Sequence, residues 1–444
     1  MGKRAMVALA LVGVVVAAAW GQTPAQDVEA AVELELPPRP DNAAVNYLTA
    51  CTILPQPWGE KERDAIDFIE DDLQWLPPEA LEGQEEALYM LDGGLRTVGF
   101  VACVHEGAEK DLCMFDVTWE DGLTAGVPYL SAMRRLTRWT SATATCAEFR
   151  KDHARAVEIC SDAMRMGEHV AQNCLAMDGL VGAAIQAITL GGIEGWLSRE
   201  PPAKDVATLL QNLYAATPQP SRIGKHVQTD IALYAYSMAH SPAQELLATL
   251  KNDCGGPEDE RFKALSRLTE DDFKKHGARW LDEYREMLKR IVALSERPYL
   301  EAAQALKEEE ARVARERETF VRDPRRGNFF IAVCAERYIA VVSKRARMQA
   351  QLDAVRIACA ALLYKQDKGG YPTKISELAA YFADGLPRNP QTGADYEYML
   401  MEGLPSIAYW TYTGEPVGVR IFTVDLHERR IKDAQALARF RAKR

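Results

Sequence analysis

The side chains best suited to chemistry stand together in DVTWEDG, residues 116–122. Asp116, Glu120 and Asp121 offer carboxylates that could move a proton or grip a cation, and Trp119 offers a flat apolar face for a ligand to stack on. They fall within 104–127, the longest stretch without periodicity, and binding groups concentrate in such segments. The same four residues would equally build a structural corner ahead of the next helix. They are the candidate binding residues, and no residue is assigned a catalytic role.

Other catalytic and metal signatures are missing. The seven His are scattered, without HExxH or ligand spacing, and His153 and His169 read as polar groups near helix ends. The nine Cys include no CxxC pair and no zinc spacing. Cys103 and Cys113 form the first pairing to test as a disulfide, and Cys146, Cys160, Cys174, Cys334 and Cys359 read as small apolar core residues. Neither GxSxG nor SxxK occurs. The Gly-rich run LVGAAIQAITLGGIEGWL, 180–197, lacks the GxxxxGK[ST] order and follows no strand, so close helix packing explains it. The acidic runs Glu70-Asp71-Asp72 and Asp271-Asp272 fit helix ends or a solvated face. No cofactor or metal is expected.

The 444 residues are 48% apolar with a formal charge of −11, which allows sizeable cores and disfavours nucleic acid or an anionic membrane surface as partner. The first residues carry Lys3 and Arg4, then an apolar run from Ala5 to Ala19, then a small-x-small site at Ala19-Trp20-Gly21. That pattern predicts an export signal over 1–21, cleaved from a periplasmic or extracellular protein. The run is short against the roughly 20 residues of a membrane-crossing helix. No later run reads as a membrane span, so the mature chain is expected not to insert. Export permits disulfides.

An acidic, Pro-ended tether occupies 22–40. Helical pattern begins near Asp41, a possible N-cap, and Pro55 and Pro57 end the first helix. Further helices start near Glu60 and Glu79, and Tyr129–Leu197 reads as three helices. In FRKDHARAVEICSDAMRMGEHV, one helix ends near Phe149, turns at Lys151-Asp152 and re-enters with Ala156, Ile159, Cys160, Ala163 and Met164 inward. Those small positions resemble the second helix of a tetratricopeptide unit, without a second copy at its period. From Thr269 the helices are long and charged, with Glu308–Arg312 and Glu318–Arg322 in favourable pair order. Asp323-Pro324 ends them, and RRGN marks the boundary between a helical domain, 41–326, and a smaller domain, 327–427. Residues 428–444 form a basic tail.

Beyond the boundary, apolar residues at Ile331, Cys334, Tyr338, Val342, Met348, Leu352, Val355, Cys359 and Leu362 lay one stripe along a helix over 329–365, with a gap at Arg345. Gly369-Gly370 should end it, Tyr371-Pro372 should force an extended exit, and Thr373 should cap a short helix near Glu377. The runs IAYWTYT and VGVRIFTVD alternate as strands of a small antiparallel sheet.

This order, with Tyr364, Asp367, Gly369, Tyr371 and Pro372 followed by Leu386, Pro387, Pro390, Gly393, Tyr396 and Tyr398, resembles the C-terminal part of type II secretion major pseudopilins. The resemblance covers about 329–427 and implies a long helix bearing a β-ribbon. It departs from the family where RRGNFFIAVCAERYIAVVSKR is internal and interrupted by Glu336 and Arg337, so filament assembly is not implied. The wider chain, through NAAVNYL, VTWEDG, VPYLSAMRRL and DHARAVEICSDAMRMGEHV, resembles a group of exported proteins from planctomycete-type bacteria, which implies the same two-part architecture and no activity.

The fold class expected is mainly α: an irregular helical bundle with one tetratricopeptide-like pair, then a small α+β pseudopilin-like domain. The function expected is that of a non-catalytic exported scaffold with a protein or peptide partner. The alternatives are a hydrolase of envelope or polymeric material acting near 104–122, and an accessory to a secretion or pilus-like system.

Overall fold

The structure, a computed structural model, describes residues 38–54, 95–117, 127–173, 175–215, 223–240, 243–252, 254, 256–401, 404–410 and 416–419. The predicted signal segment, the tether before residue 38 and the basic tail lie outside them. The described helices are α1 (Ala43–Ile53), α2 (Leu95–Ala108), α3 (Tyr129–Phe149), α4 (His153–Ala171), α5 (Ala176–Leu197), α6 (Ala203–Ala215), α7 (Ile223–His240), α8 (Ala243–Asn252), α9 (Glu260–Leu265), α10 (Glu270–Ser295), α11 (Tyr299–Arg322), α12 (Phe329–Cys334) and α13 (Glu336–Lys368). Strands β1 (Glu397–Met401), β2 (Leu404–Trp410) and β3 (Pro416–Val419) follow. They form one antiparallel sheet in the order β1-β2-β3, with Tyr398 opposite Ile407 and Ala408 opposite Gly418. The protein is thus mainly helical with a small antiparallel sheet. The run Glu397–Met401 supplies its first strand, ahead of the strands read from sequence.

Local chemistry explains most boundaries. Asn42 rather than Asp41 caps α1: its Oδ1 accepts from the Ala44 amide and also from the Met114 amide, which laces α1 to the segment after α2. Helix α2 runs to Ala108, so the irregular stretch begins later than its composition suggested. Between α3 and α4, Lys151 takes a left-handed φ of 66°. The Lys151 and Asp152 amides close on the carbonyls of Glu148 and Ala147, a Schellman ending, and Asp152 then caps α4 by accepting from the Arg155 amide. Thr269 and Asp272 form a reciprocal capping box on α10. On α11, Arg312 reaches Glu309 instead of Glu308, and the nearly buried Glu309 is also held by Arg290 from α10.

The apolar side chains gather into two cores. One is built from α1–α6 with the Met348–Leu362 part of α13, and takes in Leu378, Phe382, Tyr396 and Ile407. The other joins α7–α12, Ala176 and the first part of α13 as far as Val342. Helix α13 therefore belongs to both. At 1.5 Å per residue its 33 residues span about 50 Å. It is not interrupted at Arg345. The break lies at Ala335, which keeps helical dihedrals of −70° and −30° between α12 and α13. Nor does the helix bury a single stripe: every residue from Leu352 to Leu362 is buried, the condition of a helix enclosed on all sides.

Helix α5 corrects another expectation, since it is long and apolar enough to cross a bilayer. In this fold it packs against α3, α4 and α13, with Asp178, Gln186 and Thr189 buried along it. Its contact with α4 is close because a Cβ on Gly182 would lie 2.5 Å from the Gly167 carbonyl oxygen and 2.6 Å from the Ala171 Cβ. Gly182→Ala should destabilise the protein by about 1–3 kcal/mol through overpacking. Gly192→Ala, whose Cβ would meet nothing nearer than Ser141 Oγ at 3.9 Å, should be neutral or stabilising by up to about 1 kcal/mol. Urea unfolding of the two variants measures the contrast.

Candidate functional site

The segment chosen from sequence is only partly in view. Asp116 is exposed between buried Phe115 and Val117, while Trp119, Glu120 and Asp121 lie outside the described residues. No carboxylate pair is assembled here among the described residues. Just ahead of the segment, the Phe115 ring stacks on Tyr129 with centroids 4.2 Å apart.

Tyr129 opens a buried polar chain. Its hydroxyl donates to Asp178 Oδ1 at 2.6 Å and accepts from Asn173 Nδ2 at 3.1 Å, and Asp178 Oδ2 accepts from the Leu175 amide at 2.8 Å. The Asn173 carbonyl then faces His226 Nε2 at 3.0 Å. A carbonyl only accepts, so Nε2 carries the proton and the neutral ring shows Nδ1 as a bare acceptor. Burial, with Lys225 and Arg345 adding to it, pulls the His226 pKa down to about 4. Beyond His226 lies a cavity of about 20 Å³ between α4, α5, α7 and α13, whose polar lining is Glu168, Gln186, His226 and Arg345. This is where the apolar stripe of α13 has its gap and where the two cores meet.

Two further titratable arrays lie on α4. Tyr47 from α1 and His169 Nδ1 are 2.7 Å apart, both fully buried, and Tyr47 lies flat over Gly107, where a Cβ would sit 2.6 Å from the ring. Burial, reinforced by Arg165, lowers the His169 pKa to about 4, so His169 is a core imidazole. Nearer the surface, His105 Nδ1 stands 3.0 Å from Asp162 and 3.7 Å from Glu158, and Nε2 stands 3.6 Å from Glu109. Partial burial opposes protonation of His105, but its hydrogen bond to Asp162 and the surrounding carboxylates raise its pKa. Burial pushes Asp162 up to about 6 against the pull of His105. This dyad could hold a proton. Among the described residues no set of three His, Cys, Asp or Glu groups forms a metal site.

Cys103 and Cys113, the first pairing to test, are not bridged. Both thiols are free and packed against the first core, as are the thiols of Cys51, Cys146 and Cys160. Burial pushes Cys51, Cys146 and Cys160 up to about 12, which suppresses the reactive thiolate. Cys174 lies outside the described residues.

The residues of the C-terminal motif act as ties. Tyr364 donates to Glu377 at 2.6 Å, Tyr381 donates to Asp367 at 2.6 Å, and Gly369 ends α13 with φ 79°. Glu377, not Thr373, does the capping: its Oε1 accepts from the Thr373 and Lys374 amides ahead of a 3-10 turn, Ile375–Tyr381. Tyr371 donates to Glu200 at 3.0 Å, and Tyr396 donates to the Ala350 carbonyl at 3.1 Å. Sequence reasoning passed over Glu200, Gln186 and His226. Only Arg345 left a signal, as the polar gap in an apolar stripe.

Comparison with protein-family models, with curated proteins and with solved structures returned no match.

The arrays set a pH response. In an NMR titration, His169 and His226 should stay neutral down to about pH 4, while His105 should remain protonated above pH 6.5. Unfolding frees His169 and His226 to protonate, so stability should fall as pH drops below 6.5, by at most about 1.4 kcal/mol per pH unit for each. Asp162 and Asp353, both pushed up to about 6 in the fold, protonate there first and oppose that loss as pH falls from 6 toward 3.8. His105 acts only above pH 6.5, where its stabilisation fades as pH rises through its folded pKa. The steepest loss is therefore expected between pH 6.5 and 6, with flattening below, measured as the denaturant midpoint against pH.

Proposed function

We propose that the protein is an exported, non-catalytic scaffold that presents its helical surface to a protein or peptide partner. In this reading the pseudopilin-like C-terminal unit serves as an internal spine and not as a filament subunit. One observation carries it: α13 is enclosed by its own chain, from Tyr338 in the second core to Leu362 in the first. A pseudopilin commits that helix to neighbouring subunits. Here the same apolar residues are consumed in joining two cores, leaving a stiff body. Glu200 adds a clasp, since its carboxylate takes the Lys365 ammonium and the Tyr371 hydroxyl, and Gln366 donates to the Pro201 carbonyl at 3.0 Å. Export is supported by the N-terminal sequence pattern.

The mature chain should sediment as discrete particles without filaments and should not hydrolyse peptidoglycan, polysaccharide or peptide. Turnover abolished by Asp116→Asn would overturn the reading in favour of a hydrolase, and specific co-purification of secretion proteins would move it to an accessory role. Glu200→Ala should loosen the clasp, so that limited proteolysis cuts near Gly369-Gly370 several times faster while the helical signal in circular dichroism is kept.

A further inference from the structure

The cavity beside Arg345 has a polar lining with a definite sense. His226 contributes an acceptor, because its one N–H is used at the Asn173 carbonyl. Glu168, also buried, contributes carboxylate oxygen. Gln186 contributes Nε2–H, and Arg345 contributes guanidinium N–H. Gln186 and His226 are each 2% exposed, and neither Gln186 Nε2 nor His226 Nδ1 has a hydrogen-bond partner in the protein. A buried donor or acceptor left so costs about 1–3 kcal/mol. The remaining wall is small or apolar: Ala171, Gly179, Ala183, Ile223, Val341 and Met348.

The occupant must fit about 20 Å³ and meet the unpartnered Gln186 donor and His226 acceptor, with Arg345 and Glu168 on the same wall. One water needs about 10–15 Å³ and two to four polar partners. A halide would suit Gln186 and Arg345 but would face the Glu168 carboxylate and the bare Nδ1. A metal cation would suit those acceptors but would face Arg345. A small molecule that both donates and accepts satisfies the set.

We propose that this cavity is a binding site for a single resident water, donating to His226 Nδ1 and Glu168 and accepting from Gln186 and Arg345. The water joins α4 and α5 of the first core to α7 and α13 of the second. It gives Arg345 a reason to interrupt the apolar stripe.

The test uses the mature chain. A long-lived water should give nuclear Overhauser contacts to the Gln186 side-chain amide or the His226 ring, and crystals grown in bromide should show no anomalous peak in the cavity. A bromide peak, or a dry cavity, overturns the proposal. Gln186→Met and His226→Phe, made singly and together, supply a second readout. If one water serves both, the double variant's unfolding constant should change at least about fivefold less than the product of the single effects. Additive effects overturn the proposal. Should His226→Phe fail to fold, Gln186→Met alone decides: loss of the water contact at His226 supports the bridge, and its persistence with unchanged lifetime overturns it.

Discussion

Enclosure of α13 is the constraint on which the rest depends. Fully burying a residue such as Leu352, Val355, Ile357 or Leu362 stabilises the fold by about 1.5–3 kcal/mol each, but enclosing the helix also buries Asp353 and Arg356. An isolated charge in that position would be prohibitive, so the pair must be neutralised and hydrogen-bonded. Asp353 and Arg356 meet at 2.9 Å, and Gln349 donates to Asp353. Arg356 also donates to the Leu213 carbonyl at 2.5 Å and lies over the Tyr214 ring at 4.6 Å. The ion pair thus fixes where the end of α6 sits along α13. Burial still pushes Asp353 up to about 6, so the pair specifies register more than it adds stability.

Sharing one helix between two cores also decides where polar groups can stand. An apolar residue at Arg345 would fuse the cores into one continuous hydrophobic mass. Arg345 instead places a charge near Glu168, and the cavity there collects Gln186 and His226. The second core has its own polar seam, where Tyr338 donates to Asp230 and Arg337 donates to the Tyr234 hydroxyl while lying against both rings. In each case the polar side chain sits where α13 passes between neighbours, so it sets alignment without opening the apolar contacts on either side.

This explains which features were legible in the sequence. Breaks could be read because their causes are local: the turn at Lys151-Asp152, the start at Thr269, Gly369 and the prolines act on adjacent backbone. Asn42 was misassigned to Asp41 because both residues can cap, and the choice is made by Met114, which is distant in sequence. The enclosure of α13 was invisible to a stripe count. Ala354, Ala358, Ala360 and Ala361 carry weak hydropathy yet are fully buried, their small side chains admitting close neighbours. The polar sites were hidden for the same reason, since Gln186 and His226 acquire meaning only when α5 and α7 meet.

Glu200 shows how such a long-range tie leaves its mark on the backbone. It follows α5 with φ 54°, a left-handed conformation that costs a non-glycine residue roughly 1–2 kcal/mol and that glycine would adopt freely. Backbone ease alone would therefore place Gly at this position. The carboxylate reverses that preference, because from this turn it reaches both Lys365 at the end of α13 and Tyr371 beyond the glycine pair. Charge-assisted hydrogen bonds of this kind are each worth roughly 1.5–3 kcal/mol when formed with little reorganisation, and solvent reduces that figure at a half-exposed site. Hydrogen bonding to Lys365 and Tyr371 lowers the Glu200 pKa, so the carboxylate stays charged at neutral pH. The strained turn and the tyrosine of the C-terminal motif are thus two ends of one contact, which joins the turn after α5 to the end of α13 and the segment beyond it.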